Sequence, residues 1–320
     1  MSQDSSNPPF SKRFLYLVVF AIVTVVLLSA SLWVLNFVRQ TVAVKATEEA
    51  PSTTFINYNV VPGASVAPES LVAMAVYIGA NPQPKNAQVL TGTTTAEIAT
   101  FMVSQVATGL NVDCTYCHNT QDFSLDSWDG GTDAMARKAT AREHLKLVGD
   151  LNKNWLPILQ TITVDKRPYG AQVVCSTCHL GEAKPVAWAT NLNALPDSFR
   201  LPLDDLNQLI VTGRTDISLD TVQVNQYTMY HMANSLGVGC THCHNSRYFP
   251  SYEQPNKYFA LTMLQMAQHI RNTYKPVMNN QDPSCVLCHR NQILPPGAAQ
   301  PSVVLPAALS GQPAVAVSQK

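Results

Sequence analysis

The sequence predicts a mostly α-helical chain with one N-terminal membrane helix, and three observations predict it. Phe14 to Val38 runs without a single charge. Further on, four stretches repeat apolar residues at helical spacing, and each is closed by a glycine or a proline. Each of those four stretches precedes a C-x-x-C-H sequence, and the four copies use all 8 cysteines of the 320-residue chain.

The copies are Cys114-Thr115-Tyr116-Cys117-His118, Cys175-Ser176-Thr177-Cys178-His179, Cys240-Thr241-His242-Cys243-His244 and Cys285-Val286-Leu287-Cys288-His289. C-x-x-C-H is the attachment pattern of c-type haem. Two thiols form thioethers with one porphyrin, and the adjacent histidine lies under the iron, so one short loop must carry all three groups. A zinc site made of paired cysteines does not explain why histidine follows the second cysteine every time. The expected cofactors are four covalently bound haem c groups, held by Cys114, Cys117, Cys175, Cys178, Cys240, Cys243, Cys285 and Cys288. His118, His179, His244 and His289 are the expected lower iron ligands, and the fold class is a multihaem cytochrome c.

Composition agrees. Net charge is +0 and charged residues make up 13%, which gives no footing for a nucleic-acid partner. Proline (21) outnumbers glycine (14), as suits a loop-rich body draped over large cofactors. With every cysteine used for haem, no disulfide is expected.

In chain order, residues 1–13 read as a cytoplasmic N-terminus and 14–38 as a transmembrane anchor. The run is longer than the about 20 residues that cross a bilayer. Lys12 and Arg13 precede it, which puts the N-terminus inside and the haem domain on the periplasmic side of the inner membrane. Tyr16 and Trp33 stand near its two ends as interface anchors. A cleaved signal peptide, cut at Ala30 or Ala46, is the alternative. No cysteine directly follows the segment to take a lipid. Residues 39–92 read as a periplasmic stalk and surface wrap with a short helix within Leu71–Ile78. Residues 295–320, rich in Pro, Ala, Val, Ser and Gln, read as a flexible tail.

Between them, 93–219 and 220–294 form two tandem two-haem modules, each alternating a helix with C-x-x-C-H. The first helix opens on the capping box Thr94-x-x-Glu97, carries the stripe Ile98, Met102, Val106 and stops at Gly109. The second spans about 133–154, with His144, Val148, Leu151 and Trp155 on one face. The third spans about 220–236 and ends at Gly237. The fourth spans about 256–274, with Phe259, Met263, Met266 and Ile270 as its stripe. Motifs one and three share the texture C-T-x-C-H-N, whereas an aromatic residue followed by proline (Trp155/Pro157, Tyr274/Pro276) precedes motifs two and four.

The upper iron ligand decides what a haem does: a second protein ligand makes an electron carrier, and an open site admits substrate. Met102 and Met229 recur at nearly the same distance before motifs one and three, which assigns them to haems one and three. Aligning Trp155 on Tyr274 lays His144 on Met263, and these are the candidates for haems two and four. Met266 and His269 compete with Met263. His231, His242 and His269 otherwise read as structural. Residues 113–133 hold Asp113, Asp122, Asp126, Asp129 and Asp133 without Lys or Arg, which reads as a solvated loop or as a docking patch for a basic donor.

These residues carry a family resemblance. Four C-x-x-C-H motifs in two halves, Met before motifs one and three, N-x-N-W at Asn152–Trp155 and S-L-G-x-x-C-T-x-C-H-N at Ser235–Asn245 resemble the tetrahaem cytochrome subunit of the photosynthetic reaction centre of purple and filamentous green bacteria. The apparent membrane helix is more similar to the filamentous green type. The resemblance covers about residues 93–294. It implies an electron carrier, not an enzyme, that re-reduces the photo-oxidised bacteriochlorophyll special pair. It also implies reaction-centre core subunits as partners, and a soluble donor: a small cytochrome c, a high-potential iron–sulfur protein or a blue copper protein. Two positions depart from the purple pattern. His144 stands where haem two takes Met, and Ile158 stands where a histidine would ligate haem four. A membrane-anchored quinol-oxidising multihaem cytochrome is the alternative function; an open-haem reductase fits less well, because every motif has an upper-ligand candidate.

Overall fold

In the computed structural model the described residues are 62–162, 170–188, 201–209 and 219–311, with most of 14–29. The chain divides into two compact units, Met1–Thr53 and Thr54–Lys320. In the first, residues 16–26 are helical. The rest of the expected 14–38 anchor lies largely outside the described residues, and among those described no helix is long and apolar enough to cross a membrane. The expected cytoplasmic segment 1–13 and the stalk up to residue 61 also lie outside them.

The second unit is helical, and among the described residues the only β pairings are two isolated bridges. The capping box forms as predicted: the Glu97 amide donates to Thr94 Oγ1 at 3.3 Å and the Thr94 amide to Glu97 Oε2 at 2.7 Å. The first helix runs Thr95–Phe101, passes into a π-helical turn over Met102–Ala107 and closes over Thr108–Leu110. The second runs Thr132–Asp150, continues as a π turn over Leu151–Trp155 and carries on through Pro157 as Leu156–Ile162. It therefore passes the predicted stop. Pro157 sits in the first turn after the π segment, where a missing N–H costs least. The third and fourth helices, Leu219–Leu236 and Pro255–Tyr274, match their expected bounds to within a residue.

Two expectations need correction. Part of the stalk is a 13-residue helix, Pro68–Ala80, longer than the short turn predicted; its N-terminal Pro presets the first turn. It is tied to motif one by Asp113, which accepts from the Ala67 amide and the Ser70 hydroxyl, each at 2.9 Å.

The tail, as far as residue 311, is not a loose appendage. Gln172 and Ala299 exchange backbone hydrogen bonds of 3.0 and 2.9 Å. Leu305 (5% exposed) and Leu309 (0%) enter the core with Phe101, Leu145, Val148 and Val174. Asn152, the first Asn of N-x-N-W, is 2% exposed and explains the attachment. Its amide group donates to Val173 O and Leu309 O, both at 2.9 Å, and its carbonyl accepts from the Val173 amide at 2.7 Å. One buried side chain thus clamps the second helix, the lead-in to motif two and the tail. The close seat of Gly297, where a Cβ would meet Ser176 O at 2.0 Å, shows how tightly the tail lies on motif two.

Candidate functional site

The four C-x-x-C-H segments adopt two backbone forms, and they alternate. Motifs one and three begin as 3-10 turns, Cys114–Tyr116 and Cys240–His242. Motifs two and four are short α-helices, Cys175–His179 and Cys285–His289, each ending in a left-handed residue, Leu180 (φ 46°) and Arg290 (φ 47°).

The alternation extends to what holds each histidine. His118 Nδ1 lies 3.2 Å from Phe123 O and His244 Nδ1 lies 2.8 Å from Phe249 O. His179 Nδ1 lies 2.8 Å from Glu182 O and His289 Nδ1 3.0 Å from Gln292 O. A carbonyl only accepts, so each Nδ1 carries the proton and each Nε2 keeps its lone pair. That is the tautomer and the outer-shell support a metal-ligating histidine requires. Burial also pushes His118 down to about 4, aided by the nearby Lys138 charge, and lowers His179 and His289 below the ordinary imidazole value. These rings are therefore neutral at neutral pH, as ligands must be.

The two halves also repeat their helix-to-motif joint. Gly109 O, ending the first helix, accepts the Gly181 amide just past motif two at 2.8 Å. At the equivalent place Ser235 O, ending the third helix, accepts the Asn291 amide just past motif four at 2.8 Å. Side chains are excluded at this approach: a Cβ on Gly109 would meet Ser176 N at 2.8 Å. The halves themselves interlock. Cys178 and Cys288 bring their sulfurs to 2.7 Å, and Asp150 accepts from His269 Nε2 at 2.6 Å and Tyr274 Oη at 3.0 Å.

The structure places the upper-ligand candidates as follows. Met102 lines one cavity with Cys114, Cys117 and His118. Its empty volume is about 1250 Å³ including the open mouth. Its walls include Ile98, Val106, Phe123 and Leu145, with Lys138 and Arg142 also among the lining residues. An apolar space bearing two thiols, a neutral histidine and a thioether fits a haem. His144 is brought to His179, ring centroids 5.7 Å apart, and its Nε2 lies 3.0 Å from Val277 O. Met229 and Met263 lie half-buried on the third and fourth helices. Of Met263's competitors, Met266 is likewise half-buried. His269 is engaged at both nitrogens, by Asp150 and, at 3.4 Å, by Thr273.

His231 is structural but not solvated. It is 1% exposed, stacks on Trp188 at 4.7 Å, and its Nε2 accepts the Cys285 amide at 3.1 Å. It thereby holds the start of motif four. The aspartate-rich loop is largely committed to structure. Asp113 caps motif one, Asp122 accepts from the Ser124 amide at 2.9 Å, Asp126 pairs with Lys138 and Arg142 at 3.2 and 2.7 Å, and Asp133 pairs with Arg137 at 3.6 Å.

Comparison with known proteins fits this geometry. The family model of the photosynthetic reaction centre cytochrome c subunit matches residues 32–199 and 187–259. Cytochrome c-554 of Chloroflexus aurantiacus is 29% identical over 235 residues, covering 58% of this chain and 54% of the relative. The photosynthetic reaction center cytochrome c subunit of Thermochromatium tepidum is 26% identical over 255 residues, covering 64% and 58%. That of Roseobacter denitrificans is 25% identical over 228 residues, covering 55% and 59%. The chain thus spans little more than half the length of these curated relatives. With the family model matching more than half of it, this chain belongs to the photosynthetic reaction centre cytochrome c subunit family.

Proposed function

We propose that this chain is a membrane-anchored, periplasmic electron carrier with four haem c groups, which re-reduces the photo-oxidised bacteriochlorophyll pair of a reaction centre. The observation that carries the reading is the set of four C-x-x-C-H histidines, each with Nδ1 bound to a backbone carbonyl and Nε2 left for iron. Family membership supports the partner, since the relatives from Thermochromatium and Roseobacter are named as reaction-center cytochrome subunits.

Haem c, when bound, supplies reversible one-electron chemistry. The rest is the work of the chain. The eight cysteines fix orientation covalently. His118, His179, His244 and His289 would each hold an iron from its own motif, and Met102, His144, Met229 and Met263 would supply the second protein ligands, with Met266 the competitor at haem four. Closing both faces with protein groups leaves no room for substrate, so the chain is a carrier rather than an enzyme. The repeated joints between helix ends and motif turns support two tandem two-haem modules, 93–219 and 220–294, and the sulfur contact between motifs two and four supports their joining at haems two and four. Electrons enter from a soluble carrier: a small cytochrome c, a blue copper protein or a high-potential iron–sulfur protein. The charge-free run 14–38 moors the domain to the inner membrane with 1–13 on the cytoplasmic side.

Flash illumination of native membranes tests this. The haem α-band should bleach in the light and recover in the dark. Haem reduction by quinol in darkness, with no light-induced bleaching, contradicts it.

A further inference from the structure

The two carbonyls that hold the odd-numbered axial histidines are each shared with a lysine. Lys138 Nζ donates to Phe123 O at 3.0 Å and to Leu125 O at 2.7 Å. Lys257 Nζ donates to Phe249 O at 3.0 Å, Pro250 O at 2.9 Å and Ser251 O at 3.1 Å. Phe123 O and Phe249 O are the same oxygens that accept from His118 and His244. The alignment that lays His144 on Met263 also lays Lys138 on Lys257, so the device is built twice. At motifs two and four, no lysine among the described residues donates to Glu182 O or Gln292 O.

A histidine that donates strongly through Nδ1 becomes a more basic ligand, and a more basic ligand favours oxidised iron. A carbonyl whose lone pairs are also drawn to an ammonium is a weaker acceptor, and the ammonium adds a fixed positive charge beside the ring. Both effects favour the reduced, less positive iron. We propose that Lys138 and Lys257 are potential-setting residues that raise the reduction potentials of haems one and three through the shared phenylalanine carbonyls. This rests on the reading that His118 and His244 hold haem iron.

The two lysines are not equal. Lys138 also faces Asp126 at 3.2 Å, whose carboxylate offsets part of its charge. Lys257 sits over the Tyr252 ring at 4.1 Å, and among the described residues it pairs with no carboxylate. The larger effect belongs to haem three.

The test uses the full haem-loaded chain and its Lys138→Gln, Lys257→Gln, Lys257→Arg and Asp126→Asn variants, with haem content and a haem-resolved redox titration measured on each. Lys257→Gln keeps a donor but no charge; it should lower one haem's reduction equilibrium roughly tenfold, about 59 mV for one electron, with haem content unchanged. Lys257→Arg should restore it. Lys138→Gln should move a different haem by less. Asp126→Asn, which leaves both lysines in place, should raise that second haem. Unmoved potentials at full haem content overturn the inference. If Lys257→Gln loses its haem, an unmoved potential in Asp126→Asn overturns it instead. Absence of haem one or haem three from the unaltered chain would overturn the underlying reading, and this inference with it.

Discussion

The sulfurs of Cys178 and Cys288 lie 2.7 Å apart, although the residues belong to different halves of the chain. The short helices that carry them, Cys175–His179 and Cys285–His289, therefore lie against each other. Haems two and four are expected to titrate as an interacting pair. Replacing Cys285 and Cys288 by Ala should remove one haem and shift the apparent potential of haem two, because the charge of the neighbouring iron no longer acts on it. A redox titration in which the remaining three haems keep their values would break this link.

His144 faces His179 with ring centroids 5.7 Å apart. Two imidazoles hold oxidised iron better than an imidazole and a thioether, and His/Met ligation raises the potential. His144→Met should raise the potential of one haem and leave the other three in place. Titration showing no upward shift in any haem argues against His144 as a ligand.

Asn152 is buried and makes three hydrogen bonds, to Val173 and Leu309. Asn152→Ala leaves buried backbone groups without partners, at about 1–3 kcal/mol for such a group. A loss of about 2–4 °C in Tm accompanies each kcal/mol in a domain of this size class. Ending the chain after Leu294 removes Leu305 and Leu309 from the core and should cost more than Asn152→Ala. Thermal unfolding of the haem-loaded variants measures both, and an unchanged Tm on truncation would restore the idea of a free tail.

Asp113 supplies a pH signature. Burial pushes its carboxyl up, but the Thr115 side chain, the Ala67 and Thr115 amides and Ser70 together outweigh that and bring it down to about 2. Its pKa is therefore lower folded than unfolded, where it is about 3.9. The stabilisation is fully present above the unfolded value and is lost as pH falls through about 2. Denaturant titrations between pH 6 and 2 should show the wild-type losing this contribution across that window, and Asp113→Asn should lack that part of the slope. Parallel pH profiles for the two proteins would show that the cap on motif one contributes nothing.

Much of this was legible from residue order alone, because helices declare themselves by period and haem attachment by spacing. The capping box at Thr94 and Glu97, the bounds of the third and fourth helices and the grouping of Met102 with His118 all follow from such patterns. The packed stretch 295–311 has no period to read; it is held by the Gln172–Ala299 bridge and two leucines, which leave no signature in a Pro- and Ala-rich run. Lys138 and Lys257 leave no signature for a related reason. They donate to backbone carbonyls, which every residue possesses, so only the internal repeat could have pointed to them. His231 was hidden because a histidine on a helix shows nothing of the Trp188 ring and the Cys285 amide that bury it.

Intact-mass spectrometry of the protein purified from native membranes, read with peptide mapping, tests the central claim most directly. The account predicts a chain carrying four haem groups, each bonded through both cysteines of one C-x-x-C-H motif. Fewer than four, or any free thiol pair among those eight cysteines, contradicts it.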